Sequence, residues 1–420
     1  MLLLHLMSEL CPNHTRAIYI DHQLQSQSAS WGEFVAEQCQ QRNIPCIVQA
    51  VAVARGNLEN QARQARYDAY LQHLAPNEVL VLAHHQQDQA ETLMLRVLSG
   101  AGIHGLAAMQ AVDVREEMTI WRPLLDVSRE QICQWAHQLN VKNIEDPTNL
   151  DTHYDRAWCR EILWPLLESR YPKMQQALSR TSYLMQDAEE ILASVLETDL
   201  KACGSGQALC LETLLALPQA RQRQLLSAWM KGLAQYRPAF EMVQRLVNEV
   251  ILAKADAQAA LHWNGFYYVR FAGWMYRLAK AEYLASAQEQ TVPSTLSLDL
   301  HQVFTVLSGK FQVQENRHVQ AMGLSPALLN KPLMLTPRQG GEKIHLQGRV
   351  GSWPLKKAIQ QAQIFPWQRH TIQILSIDNV MLVVFTPKGF WLAVSSYCVI
   401  GGWRPNVIST VENITSGLES

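Results

Sequence analysis

Asp88 and Glu91 are the pair of side chains in this 420-residue chain whose spacing most directly invites chemistry. They lie in VLVLAHHQQDQAETLMLRVLSGAGIHGLAAM, Val79 to Met109. On a helix, residues three apart share a face, and both acids fall in the first turn or so, where the macrodipole favours the ionised form. Two ionised carboxylates there could hold a cationic amine, a Mg2+ ion, or both. A solvated helix start offers the same spacing, since acids are common in first turns. Three other groups carry charge in a pattern. Arg63 and Arg66 share a helix face that suits a polyphosphate or plain solvent. Glu145, Asp146 and Asp151 form a dense acidic loop, followed by Arg156 and Arg160 at i,i+4 spacing, which could touch phosphate. Between Lys331 and His370 stand Lys331, Arg338, Lys343, Arg349, Lys356, Lys357 and Arg369 against one acid, Glu342.

The elements that must position these groups follow from periodicity. Val79–Ala83 is an apolar run bounded by turn chemistry and reads as a buried strand. A helix follows His84-His85, with Leu93, Met94, Val97 and Leu98 as its apolar stripe. A strand feeding such a helix puts the two acids at the carboxyl edge of an α/β sheet, where ligands bind. Met1–Leu10 reads as the body of an amphipathic helix without an N-cap. Arg16–Ile20 predicts a strand ending near His22, either a turn residue or part of the site. Residues 30–43 predict a helix and Pro45–Val53 a second strand, the alternation of a parallel sheet. Glu59 and Arg63 are spaced for an ion pair on the next helix. Ile120–Leu125 is a further apolar segment, and Ser128 caps a helix over Arg129–Leu139.

From Met174 to Tyr283 helical periodicity dominates, with one β-like insert at Ala260–Leu278 whose aromatics read as core. Glu282–Ser297 is polar, contains proline and reads as a linker. Val380–Ser395 predicts a hairpin through Pro387-Lys388-Gly389 that backs the basic stretch. The expected division is residues 1–173, an α/β domain with a mostly parallel sheet; 174–283, a helical domain; and 298–420, a smaller α+β domain.

Composition narrows the function classes. A net charge of −1 leaves no overall basicity, so any nucleic-acid site is a local patch. Eight scattered cysteines with no C-x-x-C fit a reducing cytosol and give no zinc spacing. No apolar run approaches the roughly 18–20 residues of a membrane span, and MLLLHLMSEL lacks the basic start of a signal peptide. The expectation is a cytoplasmic protein with no membrane partner.

Four motif clusters, in order along the chain, resemble the tRNA(Ile)-lysidine synthases of the N-type ATP pyrophosphatase superfamily. The first is the stretch Gly56 to Tyr67, similar to that family's G-x-x-E-x-x-A-R-x-x-R-Y. Next comes Ala83-His84-His85-Gln86-Gln87-Asp88-Gln89-Ala90-Glu91-Thr92, with Arg96 and Ser99-Gly100-Ala101-Gly102. The third is Glu145-Asp146-Pro147-Thr148-Asn149-Leu150-Asp151 with Tyr154, Arg156 and Arg160, and the last is the 340–369 stretch. Gln87 stands where the family usually has Asp, and Ala157 where it has Asn. No S-G-G-x-D-S phosphate loop occurs in the sequence. Either the chain as given starts inside the domain, or the loop is lost.

The resemblance implies a reaction. ATP and Mg2+ adenylate the wobble cytidine of an isoleucine tRNA with a CAU anticodon, and L-lysine then displaces AMP. Asp88 and Glu91 would be catalytic and hold the lysine, with His84 beside them. Arg63 and Arg66 would meet the nucleotide; Arg156, Arg160, Arg338, Lys343, Arg349, Lys356, Lys357 and Arg369 would meet tRNA. Family likeness also points to a homodimer. The rivals are a catalytically impaired tRNA-binding remnant and another N-type pyrophosphatase acting on tRNA. Of the latter, a thiolase is disfavoured by the missing C-x-x-C.

Overall fold

The structure is a computed structural model. It describes the chain apart from residues 26, 54–57, 116, 145, 235, 255–256, 258, 289–291, 317–320, 348 and 411–420, and the side chains of 58–60, 147–148 and 286–288. The predicted Glu59–Arg63 pair and Glu145 therefore lie outside the described residues. Two compact units emerge, Met1–Val195 and Leu196–Ser420.

The first unit alternates helix and strand, as its apolar periodicity predicts. Its elements run α1 (Leu2–Leu10), β1 (Ala17–Asp21), α2 (Ser28–Gln40), β2 (Cys46–Ala50), α3 (Leu58–His73), β3 (Val79–Val81) and α4 (Gln86–Leu98), followed by α5 (Ile103–Leu106), β4 (Val112–Arg115), β5 (Met118–Trp121) and α6 (Arg129–Gln138). β1 and β2 pair in parallel, with Ile18 opposite Ile47. Gly32 lets α2 lie close on this pair: a Cβ there would stand 3.3 Å from Tyr19 and Val48. β3 pairs in parallel with β5, Leu80 opposite Ile120, and β4 closes the other edge antiparallel. The parallel strands thus fall into two hydrogen-bonded sheets, β1-β2 and β3-β5-β4. Arg16, just before β1, donates to Glu78, just before β3, with Nε at 2.7 Å from Oε1. That tie holds the Glu78 carboxyl down at about 2.

Leu80, Met118 and Ile120 pack with Tyr67, Tyr70, Leu74 and Leu82, seating α3 on the β3–β5 pair. α4 buries Ala90 against Cys159, Trp164 and Met174, with Met94 and Leu95 alongside. The predicted apolar stripe is only half used: Leu93 is buried, whereas Val97 and Leu98 are exposed. The last turn of α4 projects beyond the partner that covers its start. Ser128 caps α6 through a reciprocal box with Gln131, two orphan donors satisfied at once.

In the second unit the predicted β insert is a full antiparallel sheet. Its strands are Ala260–Trp263, Phe266–Phe271 and Trp274–Ala279, and a fourth, Ala208–Cys210, joins its edge. Trp229 and Tyr268 meet edge to face at its core, 5.5 Å between ring centres. The expected linker at Glu282–Ser297 is corrected. Lys280–Gln288 is a helix and Ser294–Ser297 a strand, because KAEYLASAQ is rich in helix formers and Tyr283 stacks on Tyr267 at 4.2 Å. Beyond it stand two five-stranded antiparallel sheets around Phe304, Phe311, Phe385 and Trp403. The predicted hairpin is present as Val380–Thr386 and Gly389–Leu392. No helix of the described residues is long and apolar enough to cross a membrane.

Candidate active site and nucleic-acid interface

The first unit brings its chemistry to the carboxyl ends of β1 and β3. Beyond β3 the chain is pinned to the β5 side, Leu82 N–H to Trp121 O at 2.9 Å and Gln86 N–H to Val127 O at 3.0 Å. This fixes where α4 starts. His85 is its N-cap, in extended conformation, and Asp88 reaches back so that Oδ2 accepts the His85 backbone N–H at 2.9 Å. Such a bond satisfies one of the donors that every helix start leaves open. Asp88 is therefore a capping acid as well as a site acid.

Glu91, one turn on, is fully buried. Arg160 forks onto it, Nε to Oε1 at 2.6 Å and Nη2 to Oε2 at 2.9 Å. The same Nη2 is 3.5 Å from Asp88 Oδ1. Arg156 stands 3.7 Å from an oxygen of each acid and bonds Thr92 Oγ1 at 3.4 Å. Burial pushes the Glu91 carboxyl above the usual carboxylate range, against the opposing pull of Arg160. The predicted acids and the arginines of the 145–160 stretch thus meet at one place, with Arg156 and Arg160 turned onto the carboxylates. The chain achieves this by an unusual local path: Asp155–Trp158 is helical, Cys159–Leu163 widens into a π-turn, and Trp164–Glu168 resumes the helix. π-turns inside helices are frequent at functional sites.

Around this centre lies a cationic group. Burial lowers the Arg63 guanidinium, and the neighbouring charges of Arg115, Arg66 and Arg156 lower it further. Arg63 and Arg115 both lie over the Tyr67 ring, at 5.1 and 5.3 Å. Arg66 acts on His22 beyond β1 and on His84 beyond β3. His84 is pushed down to about 4, first by burial and then by Arg122, Arg156 and Arg66 against the pull of Asp88. Its imidazole is neutral at pH 7, and its Nδ1 is buried without a hydrogen-bond partner. Four arginines that repel one another make a place where a polyphosphate would be welcome.

Sequence reasoning passes over two residues that hold this arrangement. Gln89, fully buried, bonds Met109 O at 2.8 Å and Ser182 Oγ at 2.9 Å and accepts from Met109 N–H at 3.0 Å. It lies between the two acids, and only its partners distinguish it from a surface glutamine. Arg122, almost fully buried, donates to Gln110 O at 2.7 Å and stands 3.6 Å from Asp113. No local spacing announces either one.

The basic stretch of the second unit divides in two. Lys343, Arg349, Lys356 and Lys357 are exposed. Arg349 lies 4.0 Å from the Trp353 ring centre and donates to Gln361 Oε1 at 2.7 Å. Lys356 and Lys357 open the short helix Leu355–Gln361. Arg338 and Arg369 are half-buried, and burial together with Arg338 lowers the Arg369 guanidinium. Arg369 donates to Ile364 O at 3.1 Å, and Arg338 stands 3.9 Å from Glu342. These two are partly committed to their own fold, and the outward charge is carried by the other five, the exposed Lys331 among them.

Three family models match this chain in succession: a PP-loop domain over residues 1–167, the TilS substrate binding domain over 209–276 and the TilS substrate C-terminal domain over 333–393. The chain is 62% identical to the tRNA(Ile)-lysidine synthase of Acinetobacter baylyi over 411 residues, 98% of this chain and 89% of that protein. It belongs to the tRNA(Ile)-lysidine synthase family. The lysidine synthases of Actinobacillus pleuropneumoniae serotype 3 and Escherichia coli O157:H7 are more distant. They are 31% and 32% identical over 91% and 87% of this chain, and the matches span 92% and 87% of those proteins. In this member of the lysidine synthase family the PP-loop match contains the whole of α4 with Asp88 and Glu91, together with Arg63, Arg66, Arg156 and Arg160. The C-terminal match contains Arg338, Lys343, Arg349, Lys356, Lys357 and Arg369.

Proposed function

We propose that this chain is the ligase that joins lysine to C2 of the wobble cytidine in a CAU-anticodon isoleucine tRNA, in the cytoplasm and driven by ATP. The cytidine O2 attacks the α-phosphorus and pyrophosphate leaves. The lysine ε-amine then attacks C2, and the oxygen departs with AMP. Activation is required because a cytidine carbonyl has no leaving group of its own. The base must be unstacked to be reached, which suits a single-stranded anticodon loop.

Asp88 and Glu91 bind and orient the lysine amine. What supports this is their convergence, on the first two turns of α4, beside a group of arginines suited to phosphate. Arg63 and Arg66 serve the nucleotide. His84 lines the same place, and its imidazole, neutral at pH 7, adds no positive charge to repel the incoming ammonium. Among the described residues no three His, Cys, Asp or Glu side chains gather as a metal site. Mg2+ normally needs only one or two carboxylates and otherwise uses phosphate and water, so it is proposed to enter with ATP. Lys343, Arg349, Lys356 and Lys357 hold the tRNA backbone, with Arg338 and Arg369 behind them. The working division remains 1–173, 174–283 and 298–420, and the assembly a homodimer.

The deciding experiment is incorporation of labelled lysine into a CAU-anticodon isoleucine tRNA transcript with ATP. Asp88→Asn and Glu91→Gln are each expected to abolish it, a loss of at least about a hundredfold, with tRNA binding retained. Undiminished incorporation by either variant removes that acid from the assignment.

A further inference from the structure

Both oxygens of Glu91 are occupied by the Arg160 fork. One oxygen of Asp88 is taken by the His85 backbone N–H, and the other faces Arg160 and Arg156. An incoming lysine ammonium therefore meets carboxylates whose lone pairs already point at guanidinium groups. Two cations do not share a buried acid pair without repulsion, and a buried pair is strongly unfavourable to break unless another charge compensates. Arg160 leaves Glu91 only when something anionic receives it.

Cations gather beside the acids: Arg63 and Arg115 share the Tyr67 ring at 5.1 and 5.3 Å. Arg156 stands at the acids and at the same time acts on Arg63, alongside Arg66 and Arg115. A phosphate entering that group offers planar guanidiniums a bidentate partner of the right shape and relieves their mutual repulsion.

We infer that Arg160 is a positioning residue with two alternative partners: Glu91 while no phosphate is bound, and a substrate phosphate afterwards, which frees Asp88 and Glu91 for the lysine amine. Binding is then ordered, with the phosphate-bearing substrate ahead of lysine. This rests on the reading of Asp88 and Glu91 as the amine site. The shared chemistry is a phosphate, supplied by the nucleotide or by the RNA backbone. Because the coupling is a difference in binding free energy it is reciprocal, so lysine tightens phosphate binding by the same factor.

The test is calorimetric titration of L-lysine into the full chain alone, with a non-hydrolysable ATP analogue, and with the tRNA transcript. Lysine affinity is expected to rise roughly 5- to 150-fold, the usual range of such couplings, in at least one loaded arm, and that arm identifies the phosphate source. Arg160→Gln is expected to bind lysine without phosphate as tightly as the loaded wild type, and to lose the enhancement. Equal lysine affinity of the wild type in all three arms overturns the ordering even if the variant does not fold. So does an Arg160→Gln chain that melts normally yet binds lysine no better than the unloaded wild type. Lysine bound in no arm by either protein overturns the amine site itself, and this inference with it.

Discussion

His84 shows how a single side chain ties stability to chemistry. Its folded value of about 4 lies below its ordinary 6.5, mainly because burial disfavours the charged imidazole. Between those values the unfolded chain takes up a proton that the folded chain refuses, so stability is complete above pH 6.5 and declines as pH falls toward 4. His85 and His22 are lowered in the same direction and deepen that slope. Glu78 acts in a lower window: its carboxyl is depressed from 4.5 to about 2, so what it contributes is lost as pH falls below 4.5. Thermal melts recorded across pH 3.5–7 are expected to show a steeper fall between 6.5 and 4 for the wild type than for His84→Gln. Identical slopes would mean that the imidazole is as free to charge in the fold as outside it.

At the scale of the element, α4 is the part that sets the site. Its start is fixed by Asp88, its face toward the core by Ala90 and Leu93, and its rotation by Gln89. Gln89→Leu keeps the volume but strands the Met109 amide and removes a partner of Ser182. Gln186 still donates to Ala107 O and Met109 O, each at 3.0 Å, so the loss is limited. A cost of about 2 kcal/mol is expected from the buried donors left unmade, read as a lowered melting midpoint, with lysine KM rising because the acids turn with the helix. The strand-then-helix frame of α4 is legible in Val79–Leu98, and so is the shared face of Asp88 and Glu91. The parallel pairings also follow from the alternation of apolar runs. What is not legible has a common cause. Gln89, Arg122 and the Arg160–Glu91 fork depend on partners from about 10 to 90 residues away, and no local period encodes them. The helix at Lys280–Gln288 is hidden because its polarity reads as a linker, whereas Tyr283 anchors it to Tyr267.

Over the whole molecule, charge is distributed unevenly on a chain whose net charge is only −1. The exposed Lys343, Arg349, Lys356 and Lys357 give the second unit a local cationic face, while the first unit keeps its arginines near buried acids. A cationic side chain that binds phosphate releases a counterion, so removing one such side chain reduces the salt dependence of binding by about one unit of slope. Lys356→Ala with Lys357→Ala is expected to weaken tRNA binding in a filter assay and to lower the slope of log affinity against log salt by roughly two. The melting midpoint should hold, since both side chains are exposed. An unchanged slope would put the RNA elsewhere.

The two strand ends that carry the candidate site belong to different backbone ladders. His22 follows β1, in one sheet, and His84 follows β3, in another. Behind them the Arg16–Glu78 tie, about one-third exposed, links the opposite ends of those strands. Within each ladder adjacent strands are held under about 5 Å apart by backbone hydrogen bonds, whereas an ion pair this exposed contributes little. Removing that tie with Arg16→Ala is expected to leave both ladders intact and to move the melting midpoint little.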